Sequence, residues 1–242
     1  SFDRQQYADW LQRLRQVCTQ RGIALIFDEV FVGFRLGLRG AQEYFGVRAD
    51  LVTYGKTIGG GLPVGVLAGR ADLMKRHRPE RPADVCFARG TFNSHPYVMA
   101  TMNEFLTHVT GPGCSKELDA AESTWIERAA QLNRKLADRA LPVRIRNFSS
   151  IWTITYTDVS RYNWMFQYYL RASGLALSWV GTGRLIFSQN YSDADFAEVC
   201  DRFVRAAERM RSDGWWTGNG GAQSNRSIRK IVFREILAQR FS

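Results

Sequence analysis

The sequence predicts an α/β fold, with a parallel sheet covered by helices, followed by a smaller α+β domain. Two apolar runs of strand length, residues 23–27 and 51–54, support the first part of this prediction. Because neither run alternates with polar residues, each is typical of a strand covered on both faces, as in the parallel sheets of layered α/β folds. The second part rests on short β-rich segments and helices that follow a Gly-Pro break at residues 110–113.

The elements expected before that break begin with an amphipathic helix over residues 3–21, for which Asp3 is the expected N-cap. The other expected elements are strands over 23–27, 51–54 and 64–69, a helical piece near 41–45, a short helix over 71–78 and a helix over 97–108. This alternation of strands and helices indicates a layer of the α/β type.

Beyond the break, a long helix is expected over residues 115–139, because its apolar positions form one stripe. The further expected elements are strands over 143–146, 151–156, 175–180 and 184–188 and helices over 162–172 and 193–210. Short strands with helices on one side predict a small α+β domain.

From residue 212 onward Gly, Asn and Ser dominate the composition, which predicts a linker and then a helix over 228–241 that begins a following segment. The chain of 242 residues can form one large domain or two small ones. The predicted division is residues 1–109, residues 110–211, and a linker with the start of a following segment over 212–242.

Charge, cysteine and hydropathy patterns narrow the functional classes. The net charge is +10, but the basic residues are spread along the chain, so no nucleic-acid partner is expected. The four Cys and three His are scattered without a CxxC pair, so no metal site is expected. No apolar run approaches the roughly 20 residues of a membrane span, and a cytoplasmic protein with reduced thiols is expected.

Two groups of opposite charge stand where the predicted strands end. Asp28 follows the first apolar run, and Lys56 follows the second. Ligand sites in open α/β sheets lie outside the carboxyl ends of the strands. A lysine and a carboxylate in that place suit pyridoxal phosphate, because the amine forms an aldimine with the cofactor and the carboxylate keeps the pyridine nitrogen protonated. From the residues alone, the alternatives are a helix cap or a loop salt bridge for Asp28, and a surface lysine in a flexible loop for Lys56.

A dense series of motifs runs through residues 23–105. It comprises Asp28-Glu29-Val30, Gly33-Phe34-Arg35, Gln42-Glu43-Tyr44-Phe45-Gly46-Val47, Gly55-Lys56 with the glycines that follow, and Gly90-Thr91-Phe92-Asn93-Ser94-His95-Pro96. In this order and spacing the motifs resemble those of the class III aminotransferases, most of all the glutamate-1-semialdehyde 2,1-aminomutase branch. The resemblance implies that residues 1–109 are the second half of a fold type I large domain, a mostly parallel sheet with helices.

The resemblance also implies residue roles. Lys56 carries the internal aldimine of pyridoxal phosphate, Asp28 binds the pyridinium nitrogen, and Val30 packs against one face of the ring. Thr91 bonds the cofactor phosphate of the neighbouring subunit in a homodimer. Without the resemblance, Val30 is interpreted as ordinary core and Thr91 as a cap before a helix. The implied substrates are an amino acid donor and a keto or aldehyde acceptor.

The family's chains are longer than this one, which matches their C-terminal portion. No residues here match the family's phosphate-binding loop or the aromatic residue that stacks on the cofactor ring, so weak cofactor binding is expected. Residues 162–188 resemble the aminotransferase domains of polyketide and nonribosomal peptide synthases, which implies a β-keto acyl substrate held on an acyl carrier protein. An intramolecular aminomutase and an inactive truncated fragment remain as alternatives.

Overall fold

The structure is a computed structural model that describes residues 3–74, 77–78, 80–85, 90–158, 160, 162–177, 183–216 and 225–240. The chain divides into two compact units, Ser1–Glu122 and Ser123–Ser242. A long helix, α4, continues from the first unit into the second. Within the described residues, no helix is both long and apolar enough to cross a membrane.

The first unit contains one three-stranded sheet, a short hairpin and four helices or parts of helices among its described residues. In chain order these are α1 (Arg4–Gln20), β1 (Ile26–Asp28), α2 (Gly40–Phe45), β2 (Leu51–Gly55), a 3-10 turn (Lys56–Gly59), β3 (Gly65–Gly69), β4 (His77–Arg78), β5 (Arg81–Val85), α3 (Pro96–Val109) and the start of α4 (Pro112–Asp138). The predicted N-cap of α1 is confirmed, because the Asp3 side chain accepts a hydrogen bond from the Gln6 amide at 3.0 Å.

The sheet has the order β1-β2-β3. The expected parallel pairing is confirmed for β1 and β2, with Ile26 opposite Leu51 and Asp28 opposite Thr53. The third strand, β3, pairs with β2 in the antiparallel sense. Its connection from β2 spans only residues 56–64, whereas a parallel return needs a crossover of about a dozen residues or more. On the two outer strands, Ile26 and Leu67 remain 55% and 50% exposed.

The buried Asp50 side chain joins three elements of the first unit. One oxygen, Oδ2, accepts from the Leu25 amide at 2.8 Å and from Arg15 of α1 at 2.5 Å. The other oxygen accepts from Arg70, just after β3, at 3.0 Å. The Leu25 amide and the two guanidinium groups hold the pKa of the Asp50 carboxyl well below its usual range. This carboxylate therefore ties α1 to the start of β1 and to the end of β3.

The short helix predicted over residues 71–78 is wrong. Residues 71–73 form a turn, and His77–Arg78 is the strand β4. The reason is the proline at position 79, because the proline ring disfavours the helical conformation in the residue before it. The hairpin that follows, β4 with β5, is antiparallel.

The second unit holds a three-stranded antiparallel sheet of order β6-β7-β8. Its elements after α4 are β6 (Val143–Phe148), β7 (Ile151–Tyr156), a 3-10 turn (Asn163–Met165), α5 (Phe166–Ala172), β8 (Arg184–Ile186), α6 (Asp193–Ser212) and α7 (Asn225–Arg240). Of the strand predicted over 175–180, residues 175–177 have no regular structure, and the remainder lies outside the described residues.

Aromatic rings form the centre of the second unit. Trp125 of α4 stacks on Phe187, with ring centroids 4.9 Å apart, and Trp152 of β7 meets Phe187 edge-on at 4.9 Å. Trp152 is completely buried. On α6, Ser192 and Asp195 form a capping box, and one apolar stripe of the helix faces the core. Sheet and helices thus share one core, as expected for a small α+β domain.

Candidate active site

The carboxyl ends of β1 and β2 lie side by side and bring Asp28 and Lys56 to the same edge of the sheet. Asp28 is the last residue of β1 and is paired with Thr53 of the parallel strand β2. Lys56 directly follows Gly55, the last residue of β2. Because the two strands are parallel, both residues leave the sheet at the edge where open α/β sheets bind ligands.

The Asp28 carboxylate is exposed and held by two local hydrogen bonds. Its Oδ1 accepts from the Val30 amide at 3.0 Å and from the Thr53 hydroxyl at 3.2 Å. The second oxygen, Oδ2, accepts no hydrogen bond from the described residues. The side chain is therefore oriented by its own turn and by the neighbouring strand, with one oxygen available to a ligand.

Lys56 has an unusual backbone for a residue with a side chain. Its φ is +50°, in the left-handed region, and it opens the 3-10 turn Lys56–Gly59. A non-glycine residue in this region costs about 1–2 kcal/mol. Such residues concentrate at functional sites. The Lys56 side chain is exposed, and its Nζ lies 5.4 Å from the centre of the Phe31 ring. Among the described residues, no hydrogen bond or ion pair involves this amine.

Val30 packs against the backbone that leads into Lys56. A Cβ atom placed on Gly55 would come within 3.2 Å of Val30 Cγ1 and within 3.1 Å of the Val64 carbonyl oxygen. Glycine at position 55 is what permits this close approach. Val30 is only half-buried, so it also offers apolar surface beside Asp28.

Glu29 is buried, whereas its neighbour Asp28 is exposed. Glu29 is 1% exposed, and its Oε2 accepts a hydrogen bond from the Ala41 amide at the start of α2, at 2.8 Å. Burial raises the pKa of Glu29, while the backbone amides of Ala41 and Gln42 oppose the rise. A Cβ on Gly40 would overlap Glu29 Oε2 at 1.8 Å, so only glycine fits there. Glu29 is therefore a structural carboxylate that fixes the loop between β1 and α2.

The three-glycine turn after Lys56 packs closely on α3. Gly60 has φ +58°, and a Cβ there would come within 2.9 Å of the Thr101 carbonyl oxygen. Thr91 lies in the turn that precedes α3, and its side chain is exposed. Within the described residues Thr91 makes no hydrogen bond with Asp28, Val30 or Lys56. The structure thus brings Asp28, Val30 and Lys56 together and leaves Thr91 on a separate exposed loop.

Two residues of this site were missed by the sequence reasoning. Thr53 donates to Asp28, and the Phe31 ring faces the Lys56 amine. Thr53 carries a partial signal, because it is a polar residue inside an apolar strand. Its place opposite Asp28 is known only from the parallel register of the structure. Phe31 carries no comparable signal, since an aromatic residue in a turn is usually assigned to the core.

The family model "Aminotransferase class-III" matches residues 3–207 of the chain. A glutamate-1-semialdehyde 2,1-aminomutase of Thermomicrobium roseum is 39% identical over 209 residues, 86% of this chain and 40% of that protein. One from Nitratidesulfovibrio vulgaris is 41% identical over 149 residues, 62% of this chain and 33% of that protein. The chain thus spans less than half the length of these relatives, as expected for a partial match.

Solved structures with the same fold include an omega-transaminase from Sphaerobacter thermophilus, with a TM-score of 0.73 and 26% identity over 84% of this chain and 48% of that one. A β-phenylalanine aminotransferase from Variovorax paradoxus gives a TM-score of 0.68 and 29% identity over 86% of this chain and 48% of that one. These matches confirm the predicted fold. Since the family model spans most of the chain, the chain belongs to the class III aminotransferases.

Proposed function

We propose that this chain supplies the lysine and the carboxylate of a pyridoxal phosphate site that catalyses amino group transfer. The observation that carries the proposal is that Asp28 and Lys56 both leave the sheet at the carboxyl ends of two parallel strands, with one carboxylate oxygen and the amine both available. Pyridoxal phosphate is the cofactor of the family to which the chain belongs.

The residues present fit this cofactor. An exposed lysine amine without an ion pair in the described part of the chain suits attachment of an aldehyde, and the open oxygen of Asp28 suits a protonated ring nitrogen. The half-buried Val30 side chain provides an apolar contact beside them. When bound, the cofactor supplies an electron sink for negative charge that develops on the substrate.

Four residues would then have distinct tasks. Lys56 would hold the cofactor through its Nζ atom, and the same amine would be the group that moves a proton to or from the substrate α-carbon. Asp28 would keep the ring nitrogen protonated, and Thr53 keeps the Asp28 carboxylate in position. Because the Phe31 ring lies 5.4 Å from the Lys56 amine, it limits water on that side of the lysine.

The proposed substrates are an amino acid donor and a keto or aldehyde acceptor. Transfer between two molecules is supported by the likeness to an omega-transaminase and a β-phenylalanine aminotransferase. Transfer within one molecule is supported by the likeness to the two aminomutases, which are more similar in sequence. A β-keto acyl acceptor on an acyl carrier protein stays a prediction, based on the resemblance of residues 162–188 alone.

A homodimer in which Thr91 reaches the neighbouring site is part of the proposal. The proposal is supported by two exposed aromatic side chains near Thr91 in the sequence. These are Phe92 and Tyr97, which a second copy would cover. His95 contacts both rings, with centroids 6.1 Å and 5.2 Å away.

The test is to add stoichiometric pyridoxal phosphate to the chain, reduce with borohydride and map the labelled lysine by mass spectrometry. The sequence has only five lysines, so Lys56 is easily distinguished from Lys116 or Lys135 on α4. We expect Lys56 to carry at least about ten times the label of either control, and Asp28→Asn to reduce that preference. Equal labelling of the lysines would refute the proposed site. Release of a keto acid from an added donor would favour transfer between molecules over the aminomutase.

A further inference from the structure

The turn after β1 places an aromatic ring beside the amine of Lys56. The centre of the Phe31 ring lies 5.4 Å from Lys56 Nζ, within the distance of about 6 Å at which a ring attracts a cation. Among the described residues, no hydrogen bond or ion pair competes for this amine. The ring is therefore the group best placed to fix the position of the amine.

The Phe31 ring belongs to an ordered turn. The Gly33 amide donates a hydrogen bond to the Glu29 carbonyl oxygen at 2.8 Å, and a Cβ atom on Gly33 would come equally close to that oxygen. The Glu29 side chain is buried, and Phe31 is half-buried. The ring thus has a fixed position, whereas a long lysine side chain loses conformational entropy when it is held in one place.

The backbone of Lys56 is tied to the same turn. The residue before it, Gly55, packs so closely on Val30 that a Cβ atom there would come within 3.2 Å of Val30 Cγ1. Val30 and Phe31 are adjacent in the sequence. The backbone before Lys56 and the Phe31 ring are therefore held by one segment, and the rotations of the lysine side chain are what remains to be restricted.

We propose that Phe31 is a positioning residue for Lys56, and that its ring holds the ammonium group of the lysine at the edge of the sheet where Asp28 also lies. The face of an aromatic ring carries partial negative charge and attracts a cation. Because the attraction acts on the charged form, the ring would hold the lysine in the state in which it has accepted a proton. This consequence for amino transfer rests on the proposed function, whereas the contact between the ring and the ammonium group does not.

A ring that served only as an apolar wall would have different substitution behaviour. Leucine keeps an apolar side chain at position 31 but removes the ring, whereas tyrosine keeps the ring. A matched control is Phe34, which is a second half-buried aromatic residue of the same turn. Its ring packs on Tyr54 and Phe105, with centroids 6.0 Å and 5.2 Å away.

The first measurement locates the amine by NMR in the full 242-residue chain without cofactor. Reductive methylation with isotope-labelled formaldehyde places methyl groups on the lysine amines and keeps their positive charge. The variant Lys56→Arg identifies the Lys56 signal, and the exposed Lys116 gives the reference position for an amine in solvent. Methyl groups over the face of an aromatic ring are shifted upfield by the ring current.

We expect the Lys56 methyl signal to lie upfield of the Lys116 signal in the unaltered chain, in Phe31→Tyr and in Phe34→Leu. In Phe31→Leu it should move to the position of the Lys116 signal. A role of Phe31 in packing alone would not produce this pattern, because the tyrosine variant restores the signal only through its ring.

The second measurement is a double-mutant cycle of Phe31→Leu and Lys56→Met, followed by urea unfolding. Lys56→Met keeps the unfavourable φ and a long apolar side chain but has no charge. We expect the pair to be coupled by about two- to fivefold in the equilibrium constant of unfolding, the range of an exposed cation–π contact. The cycle of Phe34→Leu with Lys56→Met should show no coupling.

Two results would overturn the proposal. The first is a Lys56 signal at the Lys116 position in the unaltered chain, or an upfield signal that survives in Phe31→Leu. The second is a cycle without coupling between Phe31 and Lys56. Neither measurement uses pyridoxal phosphate, so equal labelling of the lysines by the cofactor would refute the proposed function while an upfield Lys56 signal would still support the contact.

Discussion

Lys56 should make the fold less stable than glycine would at the same position. Its φ of +50° lies in the left-handed region, and its side chain is exposed, so little packing is lost when the side chain is removed. Lys56→Ala removes the side chain and keeps the unfavourable φ. Lys56→Gly removes both. The difference between the two variants therefore isolates the backbone term.

The size of that difference follows from two opposing costs. A non-glycine residue in the left-handed region costs about 1–2 kcal/mol. Glycine has additional freedom in the unfolded chain, which costs about 0.4–1 kcal/mol. We therefore expect Lys56→Gly to be more stable than Lys56→Ala by about 1 kcal/mol, which is a shift of about 0.3 M in the urea midpoint for an m-value near 3 kcal/mol/M.

The assay is a urea titration of both variants, combined with hydrogen exchange of residues 51–69. The local measurement is needed because the chain has two compact units, and exchange in this segment reports the first unit alone. The reasoning from the backbone angle is refuted if Lys56→Gly is no more stable than Lys56→Ala and if the amides of residues 51–69 exchange at least as fast in Lys56→Gly as in Lys56→Ala.

Three further predictions concern stability, each measured by the urea midpoint. Asp50→Asn should cost about 2 kcal/mol, because it weakens charge-assisted bonds to Arg15 and Arg70. Since the pKa of Asp50 is lowered in the folded state, its contribution to the free energy of unfolding is complete above about pH 4 and is lost as the pH falls through the folded pKa. Asp50→Asn should therefore lose less stability in acid than the unaltered chain does. An unchanged acid dependence would contradict the role given to Asp50. Gly60→Ala should lower the free energy of unfolding by about 1–2 kcal/mol, because φ is +58° and the added Cβ meets the backbone of α3. An unchanged stability would mean that the turn can move away from α3. Trp152→Ala should cost about 4 kcal/mol because the side chain is completely buried, and a loss below 1 kcal/mol would argue against the described aromatic core.

The sequence predicted the strand ends of the site because that prediction needs only local information. The apolar runs before Asp28 and Lys56 mark β1 and β2, and parallel pairing places both residues at one edge. The contacts around them could not be predicted in the same way. The bond from Thr53 to Asp28 depends on the strand register, and the position of the Phe31 ring depends on the turn after β1.

Glu29 shows the limit of reasoning from residue type. It has the same chemistry as Asp28 and is adjacent to it in sequence, yet it is buried against the first turn of α2. The loop passes close to Glu29 at Gly33 and at Gly40, where no side chain would fit. This path of the chain buries Glu29 and leaves Asp28 exposed. The short helix predicted over residues 71–78 failed for a related reason, because the preference of the residue before a proline outweighed the helical pattern.

The bonds of Asp50 have a consequence for synthesis on the ribosome. Its partners Arg15, Leu25 and Arg70 all belong to the first 70 residues of the chain and precede the whole second unit. Domains generally fold as units, with the N-terminal one first during translation. All the bonds of the Asp50 carboxylate can therefore form before the second unit has been translated.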